Sequence, residues 1–186
     1  TVTDVTVPPL IPTPSVSGIS DYVVGWAERE PERVLVARQE GAGGGWNDVT
    51  AARLRADVDA LAKGFVAAGL QARDRVAIMS PTRMEWLVAD LAILASGAVA
   101  VPVYDTNSPD QCRSILANSR PRLAFVADPD LGALLTSTAP PDAPLEDLVV
   151  LDDAGLGRLL RAATDEDLAE VDRRVGALVG DDLATI

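Results

Sequence analysis

Apolar residues return along this chain in two rhythms, and the changes between them mark its elements. In the segment after Thr50, Leu54, Val58, Leu61, Phe65 and Ala68 recur at spacings of three and four. That spacing predicts a helix over 50–68 with Thr50 as its N-cap, one apolar stripe and Gly69 as its C-terminal cap. Short continuous apolar runs then predict strands at 75–79, 98–103, 123–126 and 148–151. Between them lie helical signals. The helix expected over 83–96 is apolar on most faces and therefore buried; Thr82 and Glu85 offer a capping box before it, and Gly97 ends it. A second box, Ser108 with Gln111, opens a helix to about 118, with Pro109 at the favoured first position and Cys112, Ile115 and Leu116 facing inward. A short helix over 131–135, a Pro-rich loop over 138–145 and helices over 156–163 and 166–178 follow. Thr164 caps the last of these, whose stripe is Leu168, Val171, Val175 and Leu178. Residues 183–186 read as the opening of one more strand.

Earlier in the chain, residues 1–20 carry Pro8, Pro9, Pro12 and Pro14 with few periodic apolar positions, which predicts an extended arm. A short helix over 20–28, with Ser20 as N-cap, comes next. Residues 34–37 and 46–49 read as two strands of a hairpin around the glycine-rich turn 41–45. Alternation of apolar strands with amphipathic helices predicts an α/β fold: a three-layer, mostly parallel sheet with helices on both faces. No internal repeat is present.

Composition narrows the function classes. The chain has 186 residues, and only 4% are aromatic, so its core is built from Val, Leu, Ile and Ala. Its formal net charge of −12 repels nucleic acid and anionic headgroups on average. Lys63 is the only lysine among 16 basic residues, and the arginines are spread along the chain rather than gathered at one anion site. The single cysteine excludes an intrachain disulfide, and the lack of histidine excludes a Ser-His-Asp triad and imidazole metal ligands. No signal-peptide pattern opens the chain. The longest apolar stretch, 91–104, contains Ser96, Gly97 and Pro102 and is too short to span a bilayer, so a cytoplasmic location is expected.

Each residue that could carry chemistry also has a structural reading. The glycines at 41–45 fail the dinucleotide fingerprint and precede a strand rather than a helix, so a hairpin turn explains them. Lys63, between Ala62 and Gly64 on a polar helix face, reads as a solvated lysine. The acidic groups Asp152-Asp153, Asp165-Glu166-Asp167 and Asp181-Asp182 match no cation-loop spacing; helix N-terminal placement accounts for 165–167. Cys112 and Trp86 read as core residues, and Arg83 with Glu85 as a local capping pair. These residues alone describe an α/β domain with no catalytic, cofactor-binding or metal-ligating residue to assign.

Three stretches carry a family resemblance. Trp46-Asn47-Asp48-Val49-Thr50, with the helix after it and then Gly69-Leu70-Gln71-Ala72-Arg73-Asp74-Arg75-Val76-Ala77-Ile78, resembles the opening of the acyl-adenylate-forming ligases. Arg83-Met84-Glu85-Trp86, followed by residues 90–95, resembles the long-chain branch. Residues 97–106, closed by Gln111, resemble the segment that comes next. The chain thus resembles the AMP-forming long-chain fatty acid–CoA ligases, well over 20–130 and loosely over 147–186.

The resemblance implies the N-terminal subdomain of that fold, over 21–186, ending before a Ser/Thr/Gly-rich phosphate loop that 182–186 would lead into. It implies ATP, Mg²⁺ and coenzyme A as cofactors of the full-length enzyme and a fatty acid as substrate, all bound through downstream residues. It implies no nucleic-acid partner; peripheral membrane contact for the acyl substrate and a homodimer are compatible with it. Residues 104–107, from Tyr104 to Asn107, would approach the acyl or pantetheine region. The fragment by itself is expected to be inactive. Alternatives are a free-standing α/β binding or adaptor module, or the corresponding part of a fatty acyl-AMP ligase or of a carboxylic acid reductase.

Overall fold

The computed structural model describes residues 18–39, 41 and 43–186. The expected arm at 1–20 falls outside them as far as residue 17.

Helix α1 (Ser20–Arg29) leads to an antiparallel hairpin of β1 (Val34–Gln39) and β2 (Trp46–Thr50). Gly41 and Gly43 in its turn have φ of +62° and +84°, a region that costs a residue with a Cβ. Helix α2 (Ala51–Ala67) starts where the Thr50 side chain accepts the Arg53 N–H at 3.3 Å. Then β3 (Arg75–Met79), α3 (Met84–Ala95), β4 (Val99–Val103), α4 (Pro109–Ser119), β5 (Leu123–Val126), α5 (Pro129–Thr138) and β6 (Asp147–Val150) alternate, and α6 (Asp153–Ala162) and α7 (Asp165–Ala177) complete the order.

The four later strands form one parallel sheet in the order β4-β3-β5-β6. Burial on both faces explains their continuous apolar runs. Val76, Ile78, Ala100, Leu123, Phe125 and Val149 point into a core shared with α1, α2, α3, α6 and α7. Their alternate neighbours Ala77, Met79, Val101, Ala124 and Val126 point into a second core under α4 and α5. Three layers result, as the alternation of elements predicted. Phe65 of α2 meets Phe125 of β5 with ring centroids 5.0 Å apart, at the centre of the larger core.

Right-handed crossovers dictate the layers. The connection from β3 to β4 runs one way across the sheet over α3; those from β4 to β5 and β5 to β6 run the other way over α4 and α5. After α7 the chain returns to the β4 side, where Ala100 donates to the Ala184 carbonyl at 2.9 Å and receives the Ile186 N–H at 3.1 Å. The strand opening expected at 183–186 is this parallel bridge. Two residues on, Pro102 has no N–H to continue the ladder on that side.

Helices α2 and α3 end in the same way. The Gly69 and Leu70 N–H groups return to Val66 and Phe65 carbonyls at 2.8 and 3.0 Å; those of Gly97 and Ala98 return to Leu94 and Ile93 at 3.0 and 3.1 Å. Gly69 and Gly97 adopt φ of +83° and +72° to close these Schellman motifs. The two ends meet at Arg174 of α7. Its guanidinium, with the residue only 8% exposed, donates from Nη1 to the Leu70 carbonyl at 2.8 Å and to the Ser96 carbonyl at 3.1 Å. Glu170 balances its charge at 2.6 Å from Nε. One cation therefore serves the negative ends of two helix dipoles.

Several expectations are corrected. Ile19, not Ser20, occupies the N-cap of α1, and the Ser20 hydroxyl is buried without a hydrogen-bond partner. The Asp21 carboxylate accepts the Gly18 N–H at 3.2 Å and closes that end instead. Thr82 and Glu85 form no capping box: Arg83 takes the N-cap position of α3 without a side-chain bond. Glu85 turns to Arg38 of the hairpin at 3.1 Å and to Arg83 at 3.5 Å, because charge-assisted pairing outcompetes a single backbone N–H. Trp86 is half-buried at the core's margin rather than inside it, and Ala68 is exposed. The α5 helix is twice the expected length, since Asp128 caps it at 2.9 Å with Pro129 at its first position.

Replacing Arg174 by Met keeps the stem and removes the cation. It leaves two buried carbonyls unpaired and Glu170 with Arg173 alone, so unfolding free energy is expected to fall by about 3 kcal/mol in urea titration. A loss below about 1 kcal/mol would refute the clamp.

Two carboxylates have pKa values raised above the ordinary carboxylate value. Burial raises the Asp90 pKa and, as the largest cause, that of Asp59 on α2, against the lowering effect of Arg55 at 2.5 Å. Asp172 of α7, 3.4 Å from Arg55, raises Asp59 further and Lys63 lowers it; Glu28 of α1 lines the same small cavity. A carboxyl with a raised folded-state pKa gives stability as pH falls through that value. Glu170 is the opposite case: hydrogen bonds from Arg173 and then Arg174 hold it down from 4.5 to about 2. Its contribution is present above its unfolded value and lost as pH falls toward 2. The thermal midpoint is therefore expected to rise as pH is lowered from 7 toward the carboxylate range and to drop below it. In an Asp59→Asn/Asp90→Asn variant the rise should flatten; an unchanged rise would assign it to general charge repulsion.

Candidate functional site

In open parallel sheets, ligands bind outside the carboxyl ends of the strands, where neighbouring strands send their connections to opposite sides. Here that point lies between β3 and β5, with β4 and β6 flanking it. The segments after these strands are 80–83, 127–128, 104–107 and 151–152.

Most polar groups on this rim hold the rim itself. The Ser80 hydroxyl, nearly buried, donates to the Pro81 carbonyl at 2.9 Å, and the Ala127 N–H reaches back to Met79 at 3.0 Å. Asp128 and Asp152 accept the N–H groups of Leu131 and Gly155, capping α5 and α6 at 2.9 and 2.7 Å. Arg83 donates to the Leu151 carbonyl, joining the end of β6 to the start of α3, while Glu85 ties the same point to Arg38 of the hairpin. The segment 104–107 is different. Tyr104 is 77% exposed, and the Asn107 N–H folds back to its carbonyl at 3.0 Å to make a turn beside the capping box of α4. That box forms as expected: Gln111 accepts the Ser108 N–H at 2.8 Å and returns its own N–H at 3.4 Å.

The other sequence candidates are dispersed. The glycine turn at 41–45 is open on its outer side; a Cβ on Gly41, Gly43 or Gly45 would meet nothing within 4 Å. Lys63 is half-buried on α2, within electrostatic reach of Asp59 and Asp167. Asp167 accepts the Thr164 hydroxyl and N–H at 2.7 and 2.8 Å, and these bonds hold its carboxyl below the usual range. Asp182 accepts the Val179 N–H at 2.9 Å and pairs with Arg73 at 3.2 Å, which likewise lowers it. Among the described residues, no three carboxylate or thiol groups stand close enough to share a metal ion. Cys112 is buried under α4, and burial pushes its thiol pKa up, which makes it a poor nucleophile. No described helix is long and apolar enough to cross a membrane.

Sequence reasoning missed Arg174. Its Glu170 partner, four residues away, is a visible helical pair, but the carbonyls that it holds are 104 and 78 residues distant. It also missed Asp59 and Asp90, whose burial depends on how α1, α2, α3 and α7 converge.

On the rim, Ser80, Arg83, Asp128 and Asp152 are tied to backbone groups of the fold, and Tyr104 stands exposed beside them. Comparison with known proteins gives the chain a family. The model of the family described as AMP-binding enzyme matches residues 24–186. The long-chain-fatty-acid–CoA ligases FadD15 of Mycobacterium bovis and Mycobacterium tuberculosis are each 37% identical over 184 residues, covering 95% of this chain. The chain spans 30% of the length of those relatives. The crystal structure of the N-terminal domain of FACL13 from Mycobacterium tuberculosis superposes with a TM-score of 0.71 at 24% identity, over 90% of this chain and 40% of that one, and shows that the fold is shared. With the family model matching most of its length, the chain belongs to the AMP-binding enzyme family.

Proposed function

We propose that residues 21–186 are the N-terminal α/β part of the AMP-binding domain in a long-chain fatty acid–CoA ligase, and that they act as scaffold rather than as catalyst. The observation that carries this reading is the 37% identity to FadD15 across 95% of the chain. The rim supports the scaffold role: Arg83, Asp128 and Asp152 are tied to backbone groups of the fold.

In the proposed reaction a carboxylate oxygen of the fatty acid attacks the α-phosphorus of ATP, and pyrophosphate leaves. The thiol of coenzyme A then attacks the acyl carbon, and AMP leaves. Both steps concentrate negative charge on phosphoryl oxygens, which Mg²⁺, lysine and backbone N–H donors must meet. On this reading those groups come from the part of the ligase beyond the third represented here. Tyr104 and its turn would border the acyl or pantetheine path. A cytoplasmic location, where ATP and coenzyme A are available, and peripheral contact with a membrane that delivers the fatty acid belong to the same reading.

Palmitate-dependent exchange of pyrophosphate into ATP tests both parts of the proposal. The 186-residue chain is expected to give none, and the whole protein encoded by its gene is expected to give exchange and, with coenzyme A, palmitoyl-CoA. Exchange by the chain alone would overturn the scaffold role. Exchange by the whole protein without thioester formation would replace the ligase reading with an acyl-AMP ligase.

A further inference from the structure

Helices α1, α2, α3 and α7 converge around a cavity of about 390 Å³. Its walls are hydrocarbon: Val23, Val58, Leu91, Val171 and Val175, of which the first four are buried. The volume lies within the range of pockets that enclose small organic ligands. One polar group stands among these walls. Ser20 lines the cavity, is 5% exposed, and its hydroxyl has no hydrogen-bond partner. A buried hydroxyl left unpaired is destabilising, so a ligand group that bonds to it gains more than one offered to a group already satisfied.

Charge gathers away from that hydroxyl. Ser20 and Glu28 lie on one stripe of α1, about 12 Å apart at the rise of a helix. At the solvent side of the cavity stand Glu28, Asp59 of α2 and Asp172 of α7, with Arg55 as the one cation among the lining residues. Arg55 is shared, 2.5 Å from Asp59 and 3.4 Å from Asp172. Burial, the largest influence on Asp59, raises its pKa in spite of Arg55, so the guanidinium does not fully offset that carboxylate. Among the described residues, no three carboxylate or thiol groups converge closely enough to hold a metal ion. Negative charge spread over a mouth, with hydrocarbon behind it, suits an organic cation instead.

We propose that this cavity binds a short aliphatic amino alcohol, with its ammonium among Glu28, Asp59 and Asp172, its chain against Val58, Leu91 and Val171, and its hydroxyl at Ser20. Each part of the ligand meets an observed feature. An ammonium has three N–H donors and no acceptor, which matches a mouth of carboxylates. The chain removes the apolar walls from water. The hydroxyl gives Ser20 either a donor or an acceptor. The separation of Ser20 from Glu28 asks for a chain rather than a compact molecule. No residue of the rim segments 80–83, 104–107, 127–128 or 151–152 lines this cavity. The proposal does not rest on the ligase reading, and binding is measured without ATP, Mg²⁺ or coenzyme A, so its failure leaves that reading untouched.

Calorimetric titration of 6-aminohexan-1-ol into the whole protein encoded by the gene is the test, with hexylamine and hexan-1-ol as companion probes. One equivalent of the amino alcohol should bind about fivefold more tightly than hexylamine, the worth of one added hydrogen bond, and at least tenfold more tightly than hexan-1-ol. A Glu28→Gln/Asp172→Asn variant, altered only at exposed positions, should bring the amino alcohol down to the affinity of hexan-1-ol. Ser20→Ala should remove its advantage over hexylamine and leave hexylamine unchanged; this variant decides the matter if the first one fails to fold. No saturable binding, equal affinity for hexylamine and hexan-1-ol, or an advantage that survives Ser20→Ala would overturn the proposal. So would undiminished binding to Glu28→Gln/Asp172→Asn, which would place the ligand elsewhere on the protein.

Discussion

A single guanidinium joins the two helices that flank the centre of this fold. Arg174 reaches the Leu70 carbonyl, just past the end of α2, and the Ser96 carbonyl at the C-cap of α3, which would otherwise be buried acceptors beside the negative ends of two dipoles. Gly69 and Gly97, with φ above zero, close the two helix ends beside these carbonyls. It also requires α7 to lie across α2 and α3, so the C-terminal helix is structurally coupled to the start of the sheet. The Arg73 N–H, bonded to the Gly97 carbonyl at 2.7 Å, fixes the loop into β3 at the same junction.

From that junction outward the sheet follows from general rules. Alternate residues of β3 and β5 enter two different cores, so each strand must be apolar on both faces. With right-handed crossovers and this strand order, the polar turns must gather at the carboxyl ends and the helix C-termini at the amino ends. The first gathering makes the rim; the second brings the ends of α2 and α3 to Arg174. Both features have the same origin, and neither needs a special loop.

The parts legible in the sequence were those decided within a few residues. Residues 75–79 and 123–126 were readable as strands because apolar runs end sharply at charged or polar neighbours. Thr50, the Ser108–Gln111 box and Thr164 were readable as caps because their partners lie three residues away. Asp128 followed by Pro129 carried the same signal as Ser108 followed by Pro109, and reading it would have given the full length of α5. Thr82 and Glu85 failed for the opposite reason. The local pattern was present, but Glu85 had a guanidinium available from Arg38, 47 residues away, and no local rule can see that competitor. Tyr104 and its turn could be placed at the rim only through the family resemblance.

The same distinction between local and distant interactions explains how firmly the rim of the candidate site is held. Every capping carboxylate on the rim already accepts an N–H bond, and Arg83 is engaged by a carbonyl and by Glu85. Groups held this way give a rigid edge, because moving one would leave a helix end unsatisfied. A catalyst needs the reverse, donors and cations left free for charge that develops only in the transition state. One segment cannot easily meet both demands with one lysine and no histidine. A rigid edge from one part of a domain and free donors from another resolve that conflict, and on the proposed reading a chain rich in caps is the supporting part of an AMP-binding enzyme.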